Sequence, residues 1–124
     1  MKKEIPSESF EQICFVRWFR LQYPKFRIFA IPNGAWCQNV KTAQKLKSEG
    51  LSSGVPDLYI PALKLWIEMK RQKGSKTSEN QRDWMEYLKS IGDGVILANG
   101  FEDAKRQVKR FISASIDPNK SPIH

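Results

Sequence analysis

The chain has 124 residues, 40% hydrophobic and 27% charged, a balance that suits a single soluble globular domain with one core and not two. No apolar run approaches the ~20 residues that a membrane span requires, and no signal-peptide core follows Met1-Lys2-Lys3-Glu4-Ile5-Pro6, so a cytoplasmic protein without a membrane partner is expected. The net charge of +8 calls for an anionic partner, of which nucleic acid is the commonest.

A first helix is expected to start near Ser7 or Ser9, where Ser9 and Gln12 have capping-box spacing, and to run to about Tyr23 before Pro24. Phe10, Cys14, Phe15, Trp18, Phe19 and Leu21 form its wide apolar face, with Cys14 as a small core residue. Glu11 lies at the edge of that face. It is either a first-turn residue favoured by the helix dipole or a buried carboxylate compensated by a metal or a basic group. Arg27 to Ile31 reads as a short strand closed by the turn signal Pro32-Asn33-Gly34. Lys41 to Glu49 reads as a basic helix stopped by Gly50, after which Leu51 to Gly54 leads into a strand over Asp57–Ile60. The two cysteines, Cys14 and Cys37, have neither zinc-site nor disulfide-framework spacing.

Leu63 to Lys70 is a second strand, joined to the first through a turn at Pro61-Ala62. Alternation points Leu65, Ile67 and Met69 one way and Trp66, Glu68 and Lys70 the other, with Glu68 and Lys70 roughly 7 Å apart along the backbone. The turn brings Asp57, eleven residues before Glu68, alongside them. Two carboxylates and a lysine converging on one point suit metal-assisted phosphodiester hydrolysis: the carboxylates hold a hard divalent cation, and the lysine holds water or phosphate. Ser78 to Ser90 should be a helix with Ser78 as N-cap and Gln81 as its capping-box partner, burying Trp84, Leu88 and Ile91 with Met85 beside them. Val95 to Ala98 reads as a strand covered on both faces and parallel to the Glu68 strand through a right-handed βαβ crossover. A last helix follows over about Phe101–Ser113, and residues 117–124 are expected to fray. The four tryptophans read mainly as core, with Trp36 alone considered for DNA contact; His124 has no expected role.

In order, Gly54-Val55-Pro56-Asp57-Leu58, Ile67-Glu68-Met69-Lys70 and Ser78-Glu79-Asn80-Gln81 with Trp84, preceded by an acidic residue in the first helix and the Asn33-Gly34 turn, resemble the VRR-NUC family of the PD-(D/E)xK nuclease superfamily. The resemblance runs from Glu11 to about Ile96 and is nearest to the stand-alone phage or bacterial type. It implies an α/β, restriction-endonuclease-like core, a mixed sheet flanked by helices in the order α-β-α-β-β-α-β-α, in one domain over residues 1–116. It also implies that Asp57 and Glu68 are the principal ligands of Mg2+ or Mn2+, with Glu11 and the Met69 carbonyl as further ligands. Lys70 would orient the attacking water and offset transition-state charge, with Gln81 near the site. Asn33, Lys41, Lys45, Arg71, Lys73 and Lys76 are the candidate nucleic-acid contacts. The expected activity is structure-selective DNA cleavage by in-line attack of water, Holliday-junction-resolvase-like and carried out by a homodimer, in a bacterial or phage-infected cell. A flap or single-strand-selective nuclease of repair or replication, and a non-catalytic DNA-binding module on the same fold, are the competing readings.

Overall fold

The computed structural model describes residues 4–32 and 39–115. Asn33, Trp36, Cys37 and the tail from 117 to His124 lie outside the described residues. The elements, in chain order, are α1 (Glu8–Gln22), β1 (Phe29–Ala30), α2 (Val40–Ser48), β2 (Leu58–Ile60), β3 (Leu65–Lys70), α3 (Glu79–Ser90), β4 (Gly94–Asn99) and α4 (Phe101–Ser115). This is the element order expected from the sequence.

Capping residues set the helix starts. Ser7, not Ser9, caps α1, its hydroxyl accepting from the Phe10 amide at 3.1 Å. The Ser9–Gln12 spacing is therefore not used as a box. At α3 the full box forms: Ser78 accepts from the Gln81 amide at 3.1 Å, and Gln81 Oε1 accepts from the Ser78 amide at 2.9 Å. Such a cap is worth about 1 kcal/mol to the helix.

The strands lie in the order β1-β2-β3-β4, the first three antiparallel neighbours and the β3–β4 pair parallel, with α3 as the crossover. A 3-10 turn at Pro61–Leu63, closed by Lys64 in the left-handed region, reverses the chain between β2 and β3. Its tightness fixes the register Leu58↔Ile67, Tyr59↔Trp66 and Ile60↔Leu65.

Leu65, Ile67 and Met69 are fully buried against Phe15 and Phe19 of α1 and Val108 of α4. Each such side chain contributes roughly 1.5–3 kcal/mol by leaving water. The alternate residues of β3 face α3, whose Gln81 reaches Glu68 and Lys70. The sheet is thus layered, with α1 and α4 on one face and α3 on the other.

Four burial expectations are corrected. Phe10 and Leu21 are 54% and 78% exposed, because α1 is apolar nearly all round and only its Phe15–Phe19 side meets the sheet. Ile91 is exposed beyond the end of α3, leaving Met85 and Leu88 as its buried residues. β4 is not covered on both faces: Ile96 and Ala98 are buried while Leu97 between them is exposed. Cys14 is only half-buried. Among the described residues no helix is long and apolar enough to cross a membrane.

Candidate active site

The loop into β2 is shaped by Gly54. Its φ is +95°, and a side-chain carbon there would lie 2.6 Å from the Asn80 carbonyl group, so only glycine lets this loop close on the first turn of α3. Asn80 also donates to Ser53 Oγ at 3.3 Å. Docked in this way, the chain enters β2 with Asp57 one rung beyond the Leu58↔Ile67 pair, opposite Glu68. Asp57 Oδ2 accepts from the Met69 amide at 2.7 Å. In a strand the carbonyl of a residue points to the same side as its amide, so the Met69 carbonyl also faces Asp57.

Glu68 and Lys70 project from the last rungs of β3 and are almost completely buried. Gln81 joins them. Its Nε2 donates to Glu68 Oε1 at 2.9 Å, and its Oε1 accepts from Lys70 Nζ at 2.8 Å. Lys70 Nζ also donates to the Lys76 carbonyl at 3.1 Å and stands 4.0 Å from Glu68 Oε1. The amide that completes the α3 cap therefore also holds the carboxylate and the ammonium apart at fixed positions. An ammonium has three donors, so one N–H of Lys70 is left over after these two bonds.

Charge on these carboxylates is costly. Burial, then the neighbouring Asp57 charge, pushes the Glu68 carboxyl up to about 9, against a weaker opposing pull from Lys70. Asp57 is raised as well, by burial, with the Met69 amide hydrogen bond opposing. Glu68 Oε2 is buried and meets no hydrogen-bond donor, and the half-buried Asp57 carboxyl, another acceptor, is a neighbour of Glu68. Two carboxylates side by side, one of them fully buried, are relieved by sharing a proton or a metal ion. Among the described residues no three His, Cys, Asp or Glu side chains gather closely enough to hold a metal unaided. The pair with the Met69 carbonyl nevertheless fits a hard cation such as Mg2+, which commonly takes one or two carboxylates and fills its remaining positions with water and phosphate.

A third carboxylate, absent from the expected set, belongs to this field. Glu8, the first residue of α1, is half-buried and raised by burial and then by the Asp57 charge; Glu68 in turn feels Glu8. The start of α1 is brought here by the preceding segment, where the Ile5 carbonyl accepts from Arg71 at 3.4 Å. Glu11, one turn further along, is buried, its Oε2 unpartnered and next to Gly100 at the turn into α4, where the Gly100 amide donates to the Lys70 carbonyl. Any side chain at Gly100 would overlap that oxygen. Glu8 and Glu11 share a helix face, so spacing alone does not say which one reaches the strand ends.

The expected nucleic-acid contacts divide into two places. Arg71, Lys73 and Lys76 are exposed on the loop that leaves Lys70, and the Arg71 amide is steadied by Ser75 Oγ at 3.2 Å. Lys41 and Lys45 are exposed on α2, Lys45 lying 3.9 Å from Glu49. Asn33 lies outside the described residues. Trp18, Trp66 and Trp84 are half-buried, and Trp66 Nε1 donates to Asp93 at 2.9 Å.

No protein-family model matches the chain, and no curated protein does. Among solved structures, one described as a "VRR_NUC domain protein" superposes with a TM-score of 0.75 at 24% sequence identity, covering 90% of this chain and 92% of that one. The chain has the fold of that VRR_NUC domain protein.

Proposed function

We propose that this chain is a metal-dependent endonuclease that hydrolyses DNA phosphodiesters, with residues 1–116 as one nuclease domain. The observation that carries the reading is half-buried Asp57 beside fully buried Glu68, one of whose oxygens has no hydrogen-bond partner, tied through Gln81 to a lysine that keeps a free N–H. Asp57, Glu68 and the Met69 carbonyl would hold Mg2+ or Mn2+. Glu8 adds negative charge from α1, and Glu11 would be an additional acidic ligand, directly or through water. The bound ion would polarise the phosphate and lower the pKa of a coordinated water.

The protein's own part is positional. The Met69 amide fixes Asp57, and Gln81 fixes both Glu68 and Lys70. The remaining N–H of Lys70 orients the attacking water or steadies a non-bridging phosphate oxygen as negative charge builds up. Water attacks phosphorus in line with the leaving oxygen, its proton passes to solvent, and the P–O bond to the leaving oxygen breaks as that oxygen takes a proton from solvent, with no covalent intermediate. The exposed Arg71, Lys73 and Lys76 continue from Lys70 and would carry the DNA backbone past the site.

For substrate we favour branched DNA cut in Holliday-junction-resolvase fashion, with a role in repair or phage replication inside the cell. Paired cuts need two sites, and hence two copies of a chain with one such cluster. The exposed Phe10, Ile13 and Leu21 on α1 supply an apolar strip that pairing would cover. The test is a substrate panel (duplex, single strand, flap, four-way junction) with Mg2+, Mn2+ or EDTA, beside the solution mass. Metal-dependent nicking that Asp57→Ala and Lys70→Ala each abolish is expected. Full activity in either variant ends the assignment, and DNA left uncut with every metal leaves only a binding module.

A further inference from the structure

Outside the Asp57–Glu68–Lys70–Gln81 cluster, α1 and α4 bring two ammonium groups over a single indole. Lys105 Nζ lies 5.7 Å and Lys109 Nζ 5.8 Å from the centroid of the Trp18 ring, and Lys105 Nζ is also 5.8 Å from the Phe101 ring. The indole is immobilised by other rings: Phe15 and Tyr23 at 5.8 Å and Phe101 at 6.4 Å between centroids. Like charges four residues apart on a helix repel by a few tenths of a kcal/mol, and the negative face of the indole offsets this. What the fold does not supply is a counter-anion. Neither lysine forms an ion pair among the described residues, and Glu102, three residues before Lys105, pairs with neither. Their neighbour Arg106, by contrast, is tied to Asp103.

The two lysines are also in line with the candidate active site. The Gly100 amide donates to the Lys70 carbonyl at 2.9 Å, so α4 begins where β3 ends. At 1.5 Å per residue, Lys105 and Lys109 stand ~6 and ~12 Å along α4 from its first residue. One strand of DNA carries a charge every ~3.4 Å of axis, so this distance corresponds to roughly two to four phosphates. The loop with Arg71, Lys73 and Lys76 leaves the same strand end separately.

We infer that the Lys105–Lys109–Trp18 seam is a second backbone-binding surface, which holds DNA phosphates a few nucleotides from the scissile one while the Arg71–Lys76 loop holds those nearer to it. The inference rests on the nuclease reading above. It adds a footprint: contact extends down α4, and the two cations are pre-placed on the ring, so little side-chain freedom is lost on binding.

The experiment measures binding of a labelled duplex in EDTA, where no strand is cut, as a function of salt. Lys105→Gln with Lys109→Gln is expected to lower the slope of log K against log salt by about 2 relative to wild type. Lys64→Gln with Lys89→Gln makes the same charge change at the opposite end of the sheet and should leave the slope as it is. When the duplex is shortened to within about two nucleotides of the cut on one side, the Lys105/Lys109 effect should vanish. A slope unchanged in the Lys105/Lys109 variant, or lowered equally by the control pair, overturns the seam while wild-type cleavage leaves the nuclease standing. A wild-type protein that neither binds nor cuts DNA overturns both. Thermal unfolding of the variant checks that it remains folded despite losing two cation–π contacts.

Discussion

Replacing Glu68 by glutamine should make the metal-free protein more stable, and more so as pH rises. The Glu68 carboxyl titrates at 4.5 in an ordinary setting and is pushed up to about 9 in the fold, first by burial and then by Asp57. Between those values the folded chain keeps a proton that the unfolded chain has released, so stability falls as pH increases. The contribution is fully present below 4.5 and gone above about 9. In that window one proton is worth ~1.4 kcal/mol per pH unit, which makes roughly 3 kcal/mol between about pH 6 and pH 8. For a domain of this size that is a fall in Tm of about 10 °C. Asp57 and Glu8, also raised, act in the same direction. Glutamine in place of Glu68 keeps a carbonyl for Gln81 Nε2 and presents an N–H to Asp57, so both sides of the pair are satisfied without a charge. Thermal unfolding in EDTA across this range should show a falling curve for wild type and a flatter one for Glu68→Gln. Parallel curves would refute the placement of buried Glu68 beside Asp57.

The double duty of Gln81 can be separated by comparing two variants. Gln81→Ala should cost about 1–2 kcal/mol through the lost cap and bridging bonds and lower cleavage by roughly 10- to 100-fold, as supporting residues of metal sites do. Ser78→Ala should cost about 1 kcal/mol and leave cleavage near wild type; an equal loss of cleavage in both would reduce Gln81 to a capping residue. Gly54→Ala should destabilise by more than the ~1–2 kcal/mol of left-handed strain, since the methyl group also meets Asn80, and should lower kcat by shifting Asp57. Urea unfolding and cleavage rates equal to wild type would show that the loop does not depend on that close approach.

The parts of this site that could be read from the sequence are those that local chemistry decides. The hairpin through Pro61, the alternation along β3 and the Ser78–Gln81 box each depend on a few adjacent residues, and together they bring Asp57, Glu68, Lys70 and Gln81 to one place. What could not be read depends on how helices cross the sheet. α1 offers apolar side chains around most of its circumference, so periodicity alone cannot tell the Phe15–Phe19 face from the one that leaves Phe10 and Leu21 in water. Which glutamate of the first two turns meets the strand ends is hidden too. The two share a face, so a shift of α1 along its axis by about one turn would exchange Glu8 for Glu11, and the contact of Glu11 with Gly100, where no side chain fits, marks where α1 stops. Gly100 thus acts at a distance from its own turn. The open space at Gly100 admits the Glu11 carboxyl, so a side chain placed there would displace Glu11 and, through α1, disturb Glu8, whose charge Glu68 feels.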